Sequence, residues 1–333
     1  MCGYIEILQK AINLHILNER EILCLLKIKN ARKLFIEANK IRKKYVGDKV
    51  HLRALIEFSN YCKQNCLYCG LRKDNCKITR YRMKPQDIIW FAKKAKNYGY
   101  KTIILQSGED FYYTIDKMTR IIRGIKNLNL TLTLNIGEKT FEEYRTYRAI
   151  GADRYLLKIE TTNEALYNKL NPGMNLKNRM QCIKNIKLLG YEVGSGIIVG
   201  LPGQTLESIA KDIIYLKSIP IDMAGIGPFI YHPNTPIKNI EGNFFELSLK
   251  IIAVLRLILP WINIPATTAM ETLNPQGRLI ALQSGANVVM PNATGTSYRK
   301  YYEVYPNKIC LSDSPAHCKF CIENKIKSIG RYI

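Results

Sequence analysis

From His51 onward short apolar runs alternate with longer amphipathic stretches, and this alternation restricts the fold more than any other feature of the chain. The runs at 52–58, 102–105, 130–134, 154–158, 193–199, 223–226, 262–265 and 287–289 have strand length. Between them, 85–98, 113–128, 141–150, 176–189, 206–218 and 244–259 carry apolar residues at helical spacing. Pro85 suits the first helical position of its stretch, and Gly99 suits the residue just past the end. Strands separated by helices must lie parallel, because each crossover returns the chain to the same end of the sheet. Eight such units fit a closed (β/α)8 barrel of roughly 250 residues. The expected organisation is a helical N-terminal extension over 1–50, a barrel over 51–305 and a short tail over 306–333. The first segment reads as helix over 4–45, with Leu14, Leu17, Ile22, Leu25, Leu26, Leu34 and Ile41 at helical spacing.

No window reaches the roughly 18 uninterrupted apolar residues that a membrane span requires. Glu6, Lys10, Glu19, Arg20 and Glu21 interrupt the apolar start, so no secretory segment is read and the cytoplasm is the expected compartment. Fifty Lys and Arg against 27 Asp and Glu give a formal charge of +23. Such an excess can serve anionic partners. It is also what Lys heads spread over solvated faces produce, and without a basic-aromatic motif no nucleic-acid partner is expected.

Six of the ten cysteines fall into two tight groups, Cys62/Cys66/Cys69 and Cys310/Cys318/Cys321. Clustered thiols in a reducing compartment point to metal ligation rather than to disulfides. Cys2, Cys24 and Cys182 sit apart, and the last two read as packing residues within helical patterns. The first group follows the first predicted strand, at the barrel end where active sites lie. Three thiolates can hold three irons of a [4Fe–4S] cube and leave the fourth iron open to an exogenous ligand. A zinc knot or an electron-transfer cluster with Cys76 as fourth ligand is the alternative.

The spacing Cys62-x3-Cys66-x2-Cys69, with Tyr68 before the last thiol, resembles the signature of the radical S-adenosylmethionine (SAM) superfamily. That resemblance implies a [4Fe–4S] cluster, SAM on the open iron, and reductive cleavage to a 5′-deoxyadenosyl radical. Gln106-Ser107-Gly108-Glu109 resembles the motif that receives the SAM amino group. Glu160 and Arg179 match a pair that the family sets against the ribose and carboxylate of SAM. Asn135 stands where a Ser often contacts SAM, and 196–205 resembles the stretch lining the adenine.

Within the superfamily, 56–72, 105–110, 151–157, 199–205, 225–230, 263–270 and 286–292 resemble the HydE family of [FeFe]-hydrogenase maturases. The likeness implies an enclosed cavity and assembly of the dinuclear iron subcluster, with the radical attacking the sulfur of a cysteine-bound iron carbonyl–cyanide precursor. It also implies a one-electron donor and other hydrogenase maturation proteins as partners. Lys158 departs from the family's frequent Arg, replacing a bidentate donor with a point charge. Arg53, Arg154, Lys158, Thr267 and Thr268 fall at strand ends or their flanks and are expected to line one rim as an anion-accepting set. Tyr305 matches a tyrosine that the family places near the cavity. The tail group Cys310-x7-Cys318-x2-Cys321 matches an accessory [2Fe–2S] or [4Fe–4S] site of some maturases, its fourth ligand being water, His317 or another group. Two other readings remain open: a lysine mutase of the methylornithine synthase type, and a non-catalytic iron–sulfur carrier.

Overall fold

A computed structural model describes residues 3–333, which leaves Cys2 outside the described residues. The N-terminal segment forms three helices rather than one: α1 (Tyr4–Leu14), α2 (Glu19–Lys27) and α3 (Arg32–Val46). The first break has a local cause. His15 adopts a left-handed backbone (φ 55°), and Asn18 with Glu21 forms a capping box that restarts the helix. These helices lie outside the barrel. α3 packs on α10 (Phe244–Ile258), and α2 packs on α9 (Leu206–Ser218).

The strands are β1 (His51–Leu52), β2 (Ala54–Ser59), β3 (Thr102–Ser107), β4 (Thr131–Asn135), β5 (Arg154–Leu156), β6 (Glu192–Val199), β7 (Met223–Pro228) and β8 (Val288–Val289). β2 to β7 form a parallel sheet in sequence order, and β1 pairs in parallel with β8. The expected strand at 262–265 is reduced to single bridges, Met223 to Asn263 and Pro265 to Val288. A proline there has no N–H for the ladder. These bridges, with Leu55 to Asn292, still carry pairing from β7 through β8 back to β2, so the ring of strands closes. The crossovers include α4 (Pro85–Asn97), α5 (Ile115–Lys126), α6 (Phe141–Ala149), α7 (Glu164–Leu170) and α8 (Leu176–Leu188). Pro85 opens α4 as expected, and Gly99 takes φ 86° beyond its end. Cys182 is buried on α8, as a packing thiol should be.

Register decides which strand residues face the barrel axis, because side chains alternate with a period of two. Ile56, Ile103, Leu105, Leu132, Leu134, Ile197 and Ile226 belong to the apolar core between strands and helices. The opposite parity therefore faces inward: Leu55 aligns with Ile104, Ile104 with Thr133, and Thr133 with Arg154. Along the same rule Gly194, Gly196, Gly225 and Gly227 face the axis from β6 and β7. A barrel interior is normally filled by layers of side chains. Leu156 and Met223 fill the space beside Gly194, but a Cβ on Gly225 or Gly227 would meet nothing nearer than 3.6 Å, which leaves room beside β7.

After α11 (Thr268–Leu273), α12 (Gly277–Gln283) and α13 (Thr296–Arg299), the chain ends in α14 (Pro315–Ser328), capped by Ser314. The C-terminal residues return to the opposite end of the barrel, where Tyr332 O accepts from Val50 N at 2.7 Å. Among the described residues no helix is long and apolar enough to cross a membrane.

Candidate active site at the C-terminal end of the barrel

Cys62, Cys66 and Cys69 lie in the loop that leaves β2, and the fold holds that loop from beneath. Arg80 donates to the carbonyls of Leu71 at 2.9 Å and Arg72 at 2.7 Å. The Asn60 amide bonds the carbonyls of Thr79 and Tyr301. Tyr68 donates to Asn171 at 2.8 Å, and Cys66 Sγ rests 3.8 Å from Met174 Sδ. All three cysteines are half-buried residues, while Cys76 is exposed. Burial pushes the Cys62 thiol up. The same burial, with the neighbouring cysteines, pushes Cys66 up strongly and Cys69 up to about 12. Three such thiols ionise together only against a cationic partner, so metal binding here releases protons.

Their spacing says which partner fits. Tetrahedral thiolates around one zinc ion, with bonds near 2.3 Å, stand roughly 3.8 Å apart. Among the described residues the group with all ligand atoms within 4.8 Å of one another is Cys310, Asp313 and Cys318, and the β2 loop is not such a group. Thiols spread this way suit the separate irons of a cluster better than a single ion.

The motif after β3 abuts this loop. A Cβ on Gly108 would lie 2.2 Å from Tyr61 O and 2.7 Å from Cys62 Cβ, so only glycine lets the two loops touch. Ser107 Oγ donates to Gly108 O at 2.7 Å, and Glu109 N points at Cys62 Sγ over 3.4 Å. The buried Glu109 carboxylate accepts from Gln64 at 2.8 Å and Glu138 N at 2.9 Å, with Lys63 at 3.6 Å. Asn135, at the end of β4, donates to Gln106.

Glu160 and Arg179 do not pair with each other. Arg179 lies 2.9 Å from Glu138 and 3.1 Å from Tyr167 Oη. Glu160 Oε2 stands 3.2 Å from Lys158 Nζ, yet it accepts no well-aligned hydrogen bond and is buried. Its backbone is left-handed, φ 63°, which a residue with a Cβ adopts at a cost that its surroundings must offset. An underused buried acceptor on a strained residue is what a site for a polyhydroxylated ligand offers.

The five residues expected at one rim are divided between two ends. Arg154 starts β5 and Lys158 follows its end, and four residues of strand span about 13 Å. Arg53 and Arg154, with His51, Thr102 and Asn263, border a cavity of about 350 Å³ at the N-terminal end. Arg154 pairs with Glu192 at 2.5 Å, and Arg53, pulled down to about 10 by burial and by Arg154, reaches Met223 Sδ at 2.8 Å. Lys158 and Thr267 lie toward the C-terminal end, beside the glycines of β7. A Cβ on Gly225 would meet Lys158 Cε at 3.9 Å, and one on Gly227 would meet Thr267 Oγ1 at 3.6 Å. The hydroxyls of Thr267 and of inward-facing Thr133 are buried without a hydrogen-bond partner. Thr268 instead accepts from Arg278 at 3.0 Å, toward the tail. Desolvation, and then the nearby Glu57, push the half-buried Tyr305 phenol up, while a hydrogen bond with Thr272 acts the other way.

Sequence reading missed Glu138, Thr133, Lys308 and Tyr302. Lys308 forms a buried ion pair with Glu57, and the Tyr302 phenol bonds Gln106 within electrostatic reach of Cys62 and Cys69. None sits in a recognisable motif. Period-two alternation from Leu132 and Leu134 could have flagged Thr133.

A parallel barrel with three spread thiols at its C-terminal end and a close glycine loop beside them defines a radical SAM enzyme. Residues 56–216 match the family model described as the Radical SAM superfamily. The [FeFe] hydrogenase maturase subunit HydE of Thermotoga maritima is 50% identical over 298 residues, 90% of this chain and 86% of the relative. A 3-methylornithine synthase of Methanosarcina acetivorans is 34% identical over 81% of this chain and 77% of its own. The solved methylornithine synthase PylB superposes with a TM-score of 0.88 at 27% identity, covering 98% of this chain and 96% of that one. The chain belongs to the HydE family of radical SAM enzymes.

Proposed function

We propose that this chain acts in [FeFe]-hydrogenase maturation on a small anionic, sulfur-bearing iron complex, a cysteine-bound iron carbonyl–cyanide precursor of the dinuclear subcluster. Cys62, Cys66 and Cys69 would hold the [4Fe–4S] cluster and leave one iron for SAM. When bound, the reduced cluster supplies the electron that splits SAM into methionine and a 5′-deoxyadenosyl radical. The protein's residues orient and shield. Gly108 gives SAM close backbone approach, and the SAM ammonium would displace Lys63, the loosest partner of Glu109 at 3.6 Å. Glu160 would take the ribose hydroxyls, Arg179 the carboxylate, and Asn135 a further hydrogen bond.

The observation that carries the substrate reading is the inner wall beside the cluster loop. Gly225 and Gly227 of β7 leave space there, bordered by Lys158 and the unpartnered hydroxyl of Thr267. A cation and a free donor in a water-poor space favour cyanide and carboxylate, because charge-assisted hydrogen bonds strengthen as the dielectric falls. Tyr305 and Tyr302 would orient the ligand, with Thr268, Arg53 and Arg154 farther off. In and after the cluster loop the exposed Lys63, Lys73, Lys77 and Arg82 supply positive charge suited to an acidic one-electron donor.

The likeness to methylornithine synthase supports a second reading, a mutase acting on lysine. Lysine carries two ammonium groups and needs free carboxylates, yet Glu57 and Glu160 each already face a lysine. An anaerobic assay of SAM cleavage separates these readings. Turnover is expected with the cysteine-bound iron complex and not with lysine. Lysine turnover would establish the mutase, and bound iron with no SAM cleavage would leave a carrier.

A further inference from the structure

The tail group differs from the β2 loop in holding a carboxylate among its thiols. Cys310, Asp313 and Cys318 bring their Sγ and Oδ atoms within 4.8 Å of one another, and Cys321 lines the same small cavity. His317 is not part of that group. Three thiols leave a tetrahedral iron, or one iron of a two-iron cluster, a ligand short.

A second observation fixes the charge that this corner is built to hold. Arg299 is fully buried, and among the described residues it makes no ion pair. Its guanidinium donates to the carbonyls of Cys310 at 2.6 Å and Asp313 at 2.7 Å, and reaches Cys318 Sγ at 3.5 Å. One cation therefore ties the backbones of two of these residues to the sulfur of the third. A buried guanidinium without a carboxylate is costly unless an anionic group faces it, and a thiolate–carboxylate donor set is such a group. Cys310 itself sits at φ 60°, a left-handed conformation that turns the chain back toward α14.

We propose that Asp313 is the fourth ligand of the tail site, an oxygen donor completing a Cys310/Cys318/Cys321/Asp313 set. The inference rests on the reading that the tail holds an iron–sulfur group. A carboxylate at one iron makes the site asymmetric, with a harder and more exchangeable position than four thiolates would give.

The test uses full-length protein reconstituted anaerobically with iron-57 and sulfide, comparing wild type with Cys318→Ala, Asp313→Asn and Asp313→Cys. Asp313→Asn keeps the shape and removes the charge, so circular dichroism should match wild type. Mössbauer spectra resolve the tail iron, and a chelator challenge gives its rate of loss. Asp313→Asn should lose tail iron on the order of tenfold faster. Asp313→Cys should retain it, with the spectrum of one iron moved to that of an all-thiolate site and a lower midpoint potential. If Cys318→Ala loses tail iron while both Asp313 variants match wild type in spectrum and rate, the ligand assignment is overturned and the tail site stands. If Cys318→Ala keeps all its iron, the tail-site reading fails and the Asp313 assignment with it.

Discussion

The two cysteine groups share a three-thiol count and little else. Cys62, Cys66 and Cys69 are spread around a loop clamped through backbone carbonyls by Arg80, and among the described residues no carboxylate completes a compact set there. Cys310 and Cys318 are drawn together with Asp313 around the buried Arg299. On the proposed reading the first arrangement would leave one iron open to a ligand, on the side where Gly225 and Gly227 provide space. The second closes on itself, at the flank of the barrel against α11 and α14. An open position suits chemistry, and a filled one suits structure or electron storage.

The largest effect should come from the open group. Cys66→Ala is expected to reduce 5′-deoxyadenosine formation to background while the Mössbauer signal of the tail iron persists. Wild-type SAM cleavage in that variant would remove the cluster from this loop. The reciprocal change sharpens the contrast: in a Cys310/Cys318/Cys321 triple Ala variant, iron and sulfide should fall while the reduced-cluster EPR signal of the β2 loop remains. Unchanged iron content would show the tail thiols to be incidental.

Smaller effects should follow in the surroundings. Gly108→Val forces a side chain to within 2.2 Å of Tyr61 O, and overpacking of this kind costs about 1–3 kcal/mol. A melting temperature several degrees lower and weaker SAM binding by calorimetry are expected, and an unchanged SAM affinity would separate the two loops functionally. Thr267→Val, the mildest change, removes a hydroxyl that no protein group uses. Fold and SAM binding should survive, with the iron-complex substrate bound about tenfold more weakly, near the 1.4 kcal/mol of one hydrogen bond. Arg154→Gln, at the other end of the barrel, should change that affinity less than Thr267→Val does. The reverse order would move the substrate to the N-terminal end.

Periodic features were readable in the sequence, and features set by loops were not. Residues 206–218 form α9 as expected, and the strands from 102, 131, 154, 192 and 223 lie within a residue of their expected starts. Period two and period 3.6 are written in the spacing of apolar side chains. The strand at 262–265 shrank because Pro265 cannot donate to its ladder. The N-terminal helix split because the Asn18 and Glu21 cap outweighs continued apolar periodicity. The thiol groups were legible from spacing alone. The distribution of Arg53, Arg154 and Lys158 between two ends was implicit in the strand rise of about 3.3 Å per residue, and grouping them as one rim overlooked it. Glu138 as the partner of Arg179, and Asp313 among the tail thiols, arise from loop conformations that no periodicity encodes.

The claim on which everything else depends is that the β2-loop cluster keeps an iron open for SAM. Dithionite-reduced protein lacking the three tail cysteines carries that cluster alone, so its EPR and electron–nuclear double resonance spectra report on it directly. With SAM labelled at the amino nitrogen and carboxylate oxygen, the g-values should shift and hyperfine coupling to both labels should appear. Spectra that are identical with and without SAM, with no coupling to either label, would contradict the account.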